Sequence, residues 1–300
     1  MANARALDKR RKSIKNIRKI TRTMELIATA RFKQAMDRAS AATAYTDRIT
    51  GLVSNLSNTG MELSHPLLQS HDEQHSAVQL VLTSNRGLCG GYNGNVLRMA
   101  GENRQLLSEQ FPALHFEVSG KRGATYFENR KISVAETFLE FEDKPKYEDV
   151  ERIADRYLES YATGKIDRLD VCYTKFLSIA RQQATVETLL PLGGLTEDES
   201  SAGAEDNAAT SGRGSGIDFL PSAETILEEI VPMSFKVKLF KCFLDAAVSE
   251  QVARMVAMKS ATENADELIR ELSMTYNRAR QGQITGELLE VMGGVEALKN

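Results

Sequence analysis

The sequence predicts an α+β chain: long N- and C-terminal helices pairing as an antiparallel two-helix coiled coil, with a central α/β domain between them in the sequence. Three observations carry that prediction. The six prolines (Pro66, Pro112, Pro145, Pro191, Pro221 and Pro232) leave both ends of the 300-residue chain proline-free, and a proline inside a helix costs about 3 kcal/mol. A seven-residue apolar repeat runs through the N-terminal segment, and a change of period in the middle marks strands alternating with helices. Aromatic residues make up 6% of the chain, with no Trp, while 26% is charged, which suits long helices better than one large core.

The first element, residues 1–60, keeps its register for seven repeats. One row reads Leu7, Ile14, Thr21, Ala28, Ala35, Ala42, Ile49 and Leu56. A second row, three residues later, reads Arg10, Ile17, Met24, Arg31, Arg38, Tyr45 and Leu52, and Ile20 and Ile27 flank this seam. Small residues allow close helix approach, and arginine at a seam keeps its head in water. Such a helix is about 80 Å long, longer than a compact domain is wide, so it needs a partner helix. Residues 222–300 supply one of about 95 Å. Its apolar stripe takes in Phe240, Leu244, Ala247, Val248, Met255, Ala261, Leu268, Leu272, Ala279, Leu288, Met292 and Val295. Pro232 sits near its entry, where a helix tolerates proline. Gly282 and Gly286 soften it by about 1 kcal/mol each relative to Ala.

The middle, residues 76–192, reads as a Rossmann-like α/β domain with a partly parallel sheet. Strands are predicted at 77–82, 115–118, 169–174 and 184–190, and helices near 94–110 and 147–162. Glu140 and Glu142, alternating with Phe141, read as the solvent face of a strand rather than an acid/base pair. Residues 193–221 are read as an acidic flexible linker, because 196–218 hold Glu197, Asp198, Glu199, Glu205, Asp206 and Asp218 against Arg213 alone.

Charge is unevenly spread. The formal net charge is −3, yet residues 1–40 hold twelve Lys or Arg against Asp8, Glu25 and Asp37. Such a segment fits an acidic protein partner, a nucleic acid or an anionic surface. The basic residues share their helix with the hydrophobic seam, and no aromatic side chain joins them before Phe32, so base stacking has no support and an acidic protein is favoured. Nothing approaches the roughly 20 apolar residues of a membrane span, so the expectation is a soluble chain that reaches a membrane only through partners. The basic N-terminus has no apolar h-region and is read as mature structure rather than a targeting peptide.

Catalytic chemistry finds little support. Thr83-Ser-Asn-Arg-Gly-Leu-Cys-Gly-Gly-Tyr-Asn93 is a Gly-rich turn between a strand and a helix, where doubly wound folds bind phosphates. Its spacing is not GxGxxG and no GKS or GKT follows, so Arg86, Gly87, Cys89, Gly90 and Gly91 are assigned to a structural loop. Cys89, Cys172 and Cys242 are far apart and form no metal-ligand spacing, which fits a reducing compartment. His71 and His75 stand four apart with Asp72 and Glu73 between, but the segment has no apolar anchor and reads as a solvated loop. The expectation is no catalytic residue, no metal and no cofactor; a coiled-coil scaffold, a nucleic-acid binder and an α/β enzyme with an unseen site are the competing readings.

Several strings together resemble the gamma subunit of F-type ATP synthases. Ser13-Ile-Lys-Asn-Ile-Arg-Lys-Ile-Thr-Arg-Thr-Met-Glu-Leu-Ile-Ala28 resembles its first helix, and Ser84–Asn93 the loop after its first strand. Glu250–Asn264 and Tyr276–Glu287 resemble its C-terminal helix, and the match covers nearly the whole chain in order, apart from 196–218. The resemblance implies a non-catalytic rotor of the bacterial type. The coiled coil would be an axle inside the catalytic hexamer of alpha and beta subunits, and the α/β domain would contact the epsilon subunit and the c-ring. Ion-driven turning would then force the alpha/beta sites through their states. Implied contacts with the hexamer are Arg10, Arg18, Arg22 and Met24 on the first helix and Arg280, Gln281, Thr285 and Glu287 on the last. The implied location is the cytoplasmic face of a bacterial plasma membrane. No cysteine lies in 196–218, so the dithiol switch of chloroplast relatives is not expected.

Overall fold

The computed structural model describes residues 4–57, 65–71, 74–141, 144–192 and 223–299; the predicted linker 193–221 and Glu142 lie outside the described residues. The order is α1 (Ala4–Ser57), β1 (Ser76–Leu82), α2 (Tyr92–Gln110), β2 (Ala113–Ser119), α3 (Lys121–Asn129), β3 (Glu136–Phe138), α4 (Tyr147–Ala162), β4 (Arg168–Phe176), β5 (Gln182–Leu190) and α5 (Ala223–Lys299). Two compact units result, one taking residues up to Ala30 and from Arg254, the other running from Arg31 to Ala253.

The second unit is built on a five-stranded mixed sheet in the order β3-β2-β1-β4-β5. β1 pairs in parallel with β2 and β4, β2 with β3, and β5 closes the far edge antiparallel to β4. Every residue of β1 is buried, so this central strand is apolar apart from Ser76 and Gln79, whose amide donates to the Ala100 carbonyl and Cys172 Sγ. Val78, Leu80 and Leu82 join Leu169 and Val171 in a core completed by α4 and α5. α4 contributes Val150, Ile153, Ala154, Tyr157 and Tyr161, an i, i+3, i+4 pattern, and α5 contributes Val231, Phe235, Leu239 and Phe243. Each such large side chain stabilises the fold by about 1.5–3 kcal/mol when fully buried. On the other side, Val81, Val118 and Cys172 pack on Val96, Leu97 and Ala100 of α2 and Phe127 of α3.

Several expectations need correction. α3 and β3 were not anticipated. β3 ends at Phe138, so Glu140 and Phe141 are not in a strand; Phe141 turns into the core beside Phe243, ring centroids 4.6 Å apart. Pro232 lies inside α5, well past its start at Ala223. Its neighbours Val231 and Phe235 are fully packed, and that burial offsets the lost backbone bond.

Candidate functional site

In the first unit, residues 4–30 of α1 run antiparallel to the distal part of α5. Three contacts define the direction: the Arg11 guanidinium lies 4.7 Å from the Tyr276 ring centre, Arg18 pairs with Asp266 at 2.6 Å, and the Thr262 and Thr21 hydroxyls meet at 2.8 Å. Ascending numbers on α1 meet descending numbers on α5. The α5 side of the seam is Met258, Thr262, Ala265, Ile269, Leu272, Tyr276 and Ala279, all buried or half-buried at alternating spacings of four and three.

The first predicted row on α1 is the one that faces inward: Leu7 and Ile14 are half-buried, Thr21 and Ala28 buried. The second predicted row is inward only in part, with Met24 and Arg31 half-buried. Arg10 and Ile17 are exposed, as are the flanking Ile20 and Ile27. A companion row lies four residues on, where Ala4, Arg11 and Glu25 are buried or half-buried and Arg18, though exposed, pairs with Asp266. Because this row is mostly charged, an apolarity pattern misses it. On α5 the predicted Leu268, Leu288, Met292 and Val295 are likewise exposed.

The predicted contact residues fall into two groups. Arg18, Arg22 and Met24 lie at the level of Lys259 to Asp266, where Arg18, Lys19, Arg22, Lys259, Glu263 and Asp266 line a polar groove of about 690 Å³. Arg22 turns to Glu25 at 2.8 Å, and Met24 is half-buried. Arg280 lies near Tyr276, its guanidinium 6.0 Å from the ring centre, so it shares the level of Arg11 and its neighbour Arg10. Gln281, Thr285 and Glu287 follow, and from Arg280 to Val295 every side chain is exposed, with Gly286 alone half-buried. Glu287 accepts a hydrogen bond from Gln283 at 2.9 Å. The two groups are not gathered into one site. Thr262, Asp266 and Tyr276 were missed; their spacing with Met258, Ala265 and Leu272 was the available signal.

The Gly-rich loop of the second unit is tied together by Asn93 and tied outward by Asn85, which donates to the Leu139 carbonyl at 3.1 Å. The Asn93 side chain accepts from the Ser84 N–H at 3.0 Å and donates to the Ser84 hydroxyl at 2.7 Å and the Cys89 sulfur at 3.2 Å. Gly90 takes φ +55, and Leu88, exposed, takes φ +65. The neighbouring start of α3 is also saturated: the N–H groups of Lys121, Arg122, Gly123 and Ala124 donate to Asn85 Oδ1, the Ser84 carbonyl, the Thr83 hydroxyl and the Gly120 carbonyl. A phosphate would find no free donor among these groups. Gly120 itself, at φ +100, sits so close that a Cβ would lie 2.1 Å from the Thr83 carbonyl oxygen. Arg86 and Arg122 are exposed, and the Arg122 guanidinium covers Gly87.

Asp72 and Glu73, between the two histidines, lie outside the described residues. His71 Nδ1 is engaged by Asp167, while the His75 side chain is exposed. Among the described residues no three His, Cys, Asp or Glu side chains cluster as ligands. None of the described helices is long and apolar enough to cross a membrane.

The family model described as ATP synthase matches residues 3–298. The ATP synthase gamma chain of Rhodopirellula baltica is 62% identical, with all of both chains covered. The chain belongs to the ATP synthase gamma-chain family. The gamma chain of Saccharopolyspora erythraea is 39% identical over 100% of this chain and 99% of that relative. The fold is shared with a chain of the Euglena gracilis mitochondrial ATP synthase, structure of OSCP, F1 and c-ring, at TM-score 0.64, 19% identity and 98% and 94% coverage of the two chains. It is also shared with a chain of the Tetrahymena thermophila central stalk and c-ring, at TM-score 0.54, 18% identity and 81% and 99% coverage. A gamma chain is a subunit of ATP synthase and not its catalytic chain.

Proposed function

We propose that this chain is the central rotor shaft of a proton-translocating F-type ATP synthase. It couples turning of the c-ring to conformational change at the alpha/beta sites, with the epsilon subunit beside it at the cytoplasmic face of a bacterial plasma membrane. The observation that carries this reading is the antiparallel pairing of residues 4–30 with the distal part of α5, fixed by Arg18–Asp266 and Thr21–Thr262. Two bonded helices resist twisting better than one. The surface they offer is suited to turning inside a housing. Its cations are partly neutralised within the chain, Arg11 and Lys12 by Asp8, Arg18 by Asp266 and Arg22 by Glu25, which also argues against a nucleic-acid role. Contacts made by exposed charges contribute about 0–1 kcal/mol each, so they form and break as the shaft turns. Shaft angle then biases the relative free energy of states in the surrounding subunits.

Within this reading Arg10, Arg18, Arg22 and Met24 on α1, and Arg280, Gln281, Thr285 and Glu287 on α5, are the contacts with alpha and beta. The exposed Ile284, Leu288, Leu289, Val291, Met292 and Val295 give the end of α5 an apolar surface to seat in the hexamer. Residues 1–60 and 222–300 serve as the axle, 76–192 as the domain at its foot and 193–221 as a linker.

The test is rotation. All three native cysteines are buried, so Gln105→Cys on the exposed side of α2 accepts a bead selectively. On an immobilised alpha/beta hexamer, ATP is expected to turn the bead in one direction. A hexamer that hydrolyses ATP while the bead only diffuses would refute the reading.

A further inference from the structure

A groove of about 660 Å³ opens in the sheet-bearing unit between α1, the start of α4 and the early part of α5. It exists because α1 presents Ala41 and Ala42 there, side chains too short to fill the space in front of Phe240. Tyr147 stands edge-on to Phe240, ring centres 5.5 Å apart at 86°, and Met233 is 41% exposed. The floor is therefore apolar, and methionine adapts its shape to what lies on it. The rim has a different character. Arg38 and Lys146 are exposed at its edge, against one carboxylate, Glu148, among the lining residues. α4 begins at Tyr147, and Glu148 and Asp149 in its first turn offset the partial charge of its N-terminus, so the rim's positive character comes from Arg38 and Lys146.

A concave apolar floor under a positive rim complements an apolar side chain flanked by carboxylates. The volume takes one large side chain with its neighbouring backbone. We propose that this groove docks a segment of another subunit that presents an apolar side chain beside Asp or Glu. The inference rests on the chain being part of a multi-subunit assembly, and it assigns a site that the shaft role does not use.

The experiment places the photo-reactive residue p-benzoylphenylalanine at position 41, exposed on α1, and irradiates the purified assembly. The expected product is one protein adduct whose cross-linked peptide carries an apolar residue within a few positions of Asp or Glu. The double variant Arg38→Glu/Lys146→Glu should lower the adduct yield at least about fivefold with helical content unchanged, as loss of charge complementarity at a rim does. No adduct, an adduct with lipid alone, or a yield indifferent to charge reversal overturns the groove assignment. Recovery of the wild-type chain without other subunits would instead count against the assembly reading, so the two failures are separable.

Discussion

His71 Nδ1 lies 2.7 Å from Asp167 Oδ1, and the other oxygen of that carboxylate accepts the backbone N–H groups of His75 and Ser76 at 2.7 and 2.8 Å. One buried carboxylate thus ties the approach to β1 to the start of β4, and the His71 ring stacks on Tyr161, centroids 4.5 Å apart. Burial pushes the Asp167 carboxyl up, but the hydrogen bonds from His71, Ser76 and His75 outweigh it and hold it below the usual range. A depressed carboxylate contributes stability above its unfolded value, about 3.9, and loses it as pH falls through its folded value. Asp167→Asn is expected to cost about 1–3 kcal/mol at pH 7, and to flatten the acid side of the stability curve. Urea titrations from pH 3 to 7 check this; parallel curves for the two chains would contradict it.

Asp245 behaves in the opposite sense. It is 6% exposed on α5. Burial pushes its carboxyl up to about 6; Lys241 and Lys175 pull it back and Glu187 adds to the rise. Stability is then lost as pH climbs from about 4, where the unfolded chain ionises, to about 6, and stays lower above that. Asp245→Asn should remove this dependence and gain up to about 3 kcal/mol at pH 8. Calorimetric unfolding at pH 5 and pH 8 is the measurement, and an equal difference at both values would be the wrong outcome.

Gly120→Ala should be among the most damaging small substitutions. At φ +100 the added Cβ meets the Thr83 carbonyl oxygen at 2.1 Å, so the backbone just after β1 would have to shift. A loss above about 2 kcal/mol is expected from strain and broken loop bonds. A melting temperature within a degree of wild type would show the loop to be more compliant.

The seam assignment predicts a contrast on α1. Ala28 is 1% exposed and Ile17 is 46% exposed. Ala28→Leu should destabilise by about 1–3 kcal/mol through overpacking, whereas Ile17→Gln should stay within about 0.5 kcal/mol. Thermal unfolding of the two variants decides it, since a seam holding both predicted rows would make Ile17 as sensitive as Ala28.

Arg280→Glu or Gln281→Glu should uncouple ATP hydrolysis from proton pumping in membrane vesicles while the circular dichroism of the chain is unchanged. Both side chains are exposed, so the fold has little to lose from either change. Undiminished pumping per ATP would remove them from the contact surface.

What could be read in the sequence followed from how strongly each element is patterned. The run Ala77–Leu82 stands out because β1 is covered on both faces and is apolar at every position but Gln79. α4 stands out through Val150, Ile153, Tyr157 and Tyr161. α3 buries only Gly123 and Phe127, and β3 has three residues, so neither leaves a periodic trace. The candidate surfaces were less legible for a related reason. The paired helices half-bury Arg11 and Glu25, and hydrophobic periodicity passes over charged residues that face a partner. Nor does a string of glycines disclose that Asn93 and the Thr83–Asn85 backbone and side chains already occupy the donors a ligand would need.

The core that joins Leu80 and Leu169 to Phe235, Leu239 and Phe243 sets the order of events during synthesis. The central strand leaves the ribosome long before the helix that covers it, and β4 must be translated before β1 has both neighbours. Until the last third of the polypeptide emerges, that side of the sheet is covered by α4 but not by α5. A nascent chain halted near residue 192 therefore leaves bare the apolar surface that Val231, Phe235, Leu239 and Phe243 cover in the finished fold, and such surface favours aggregation.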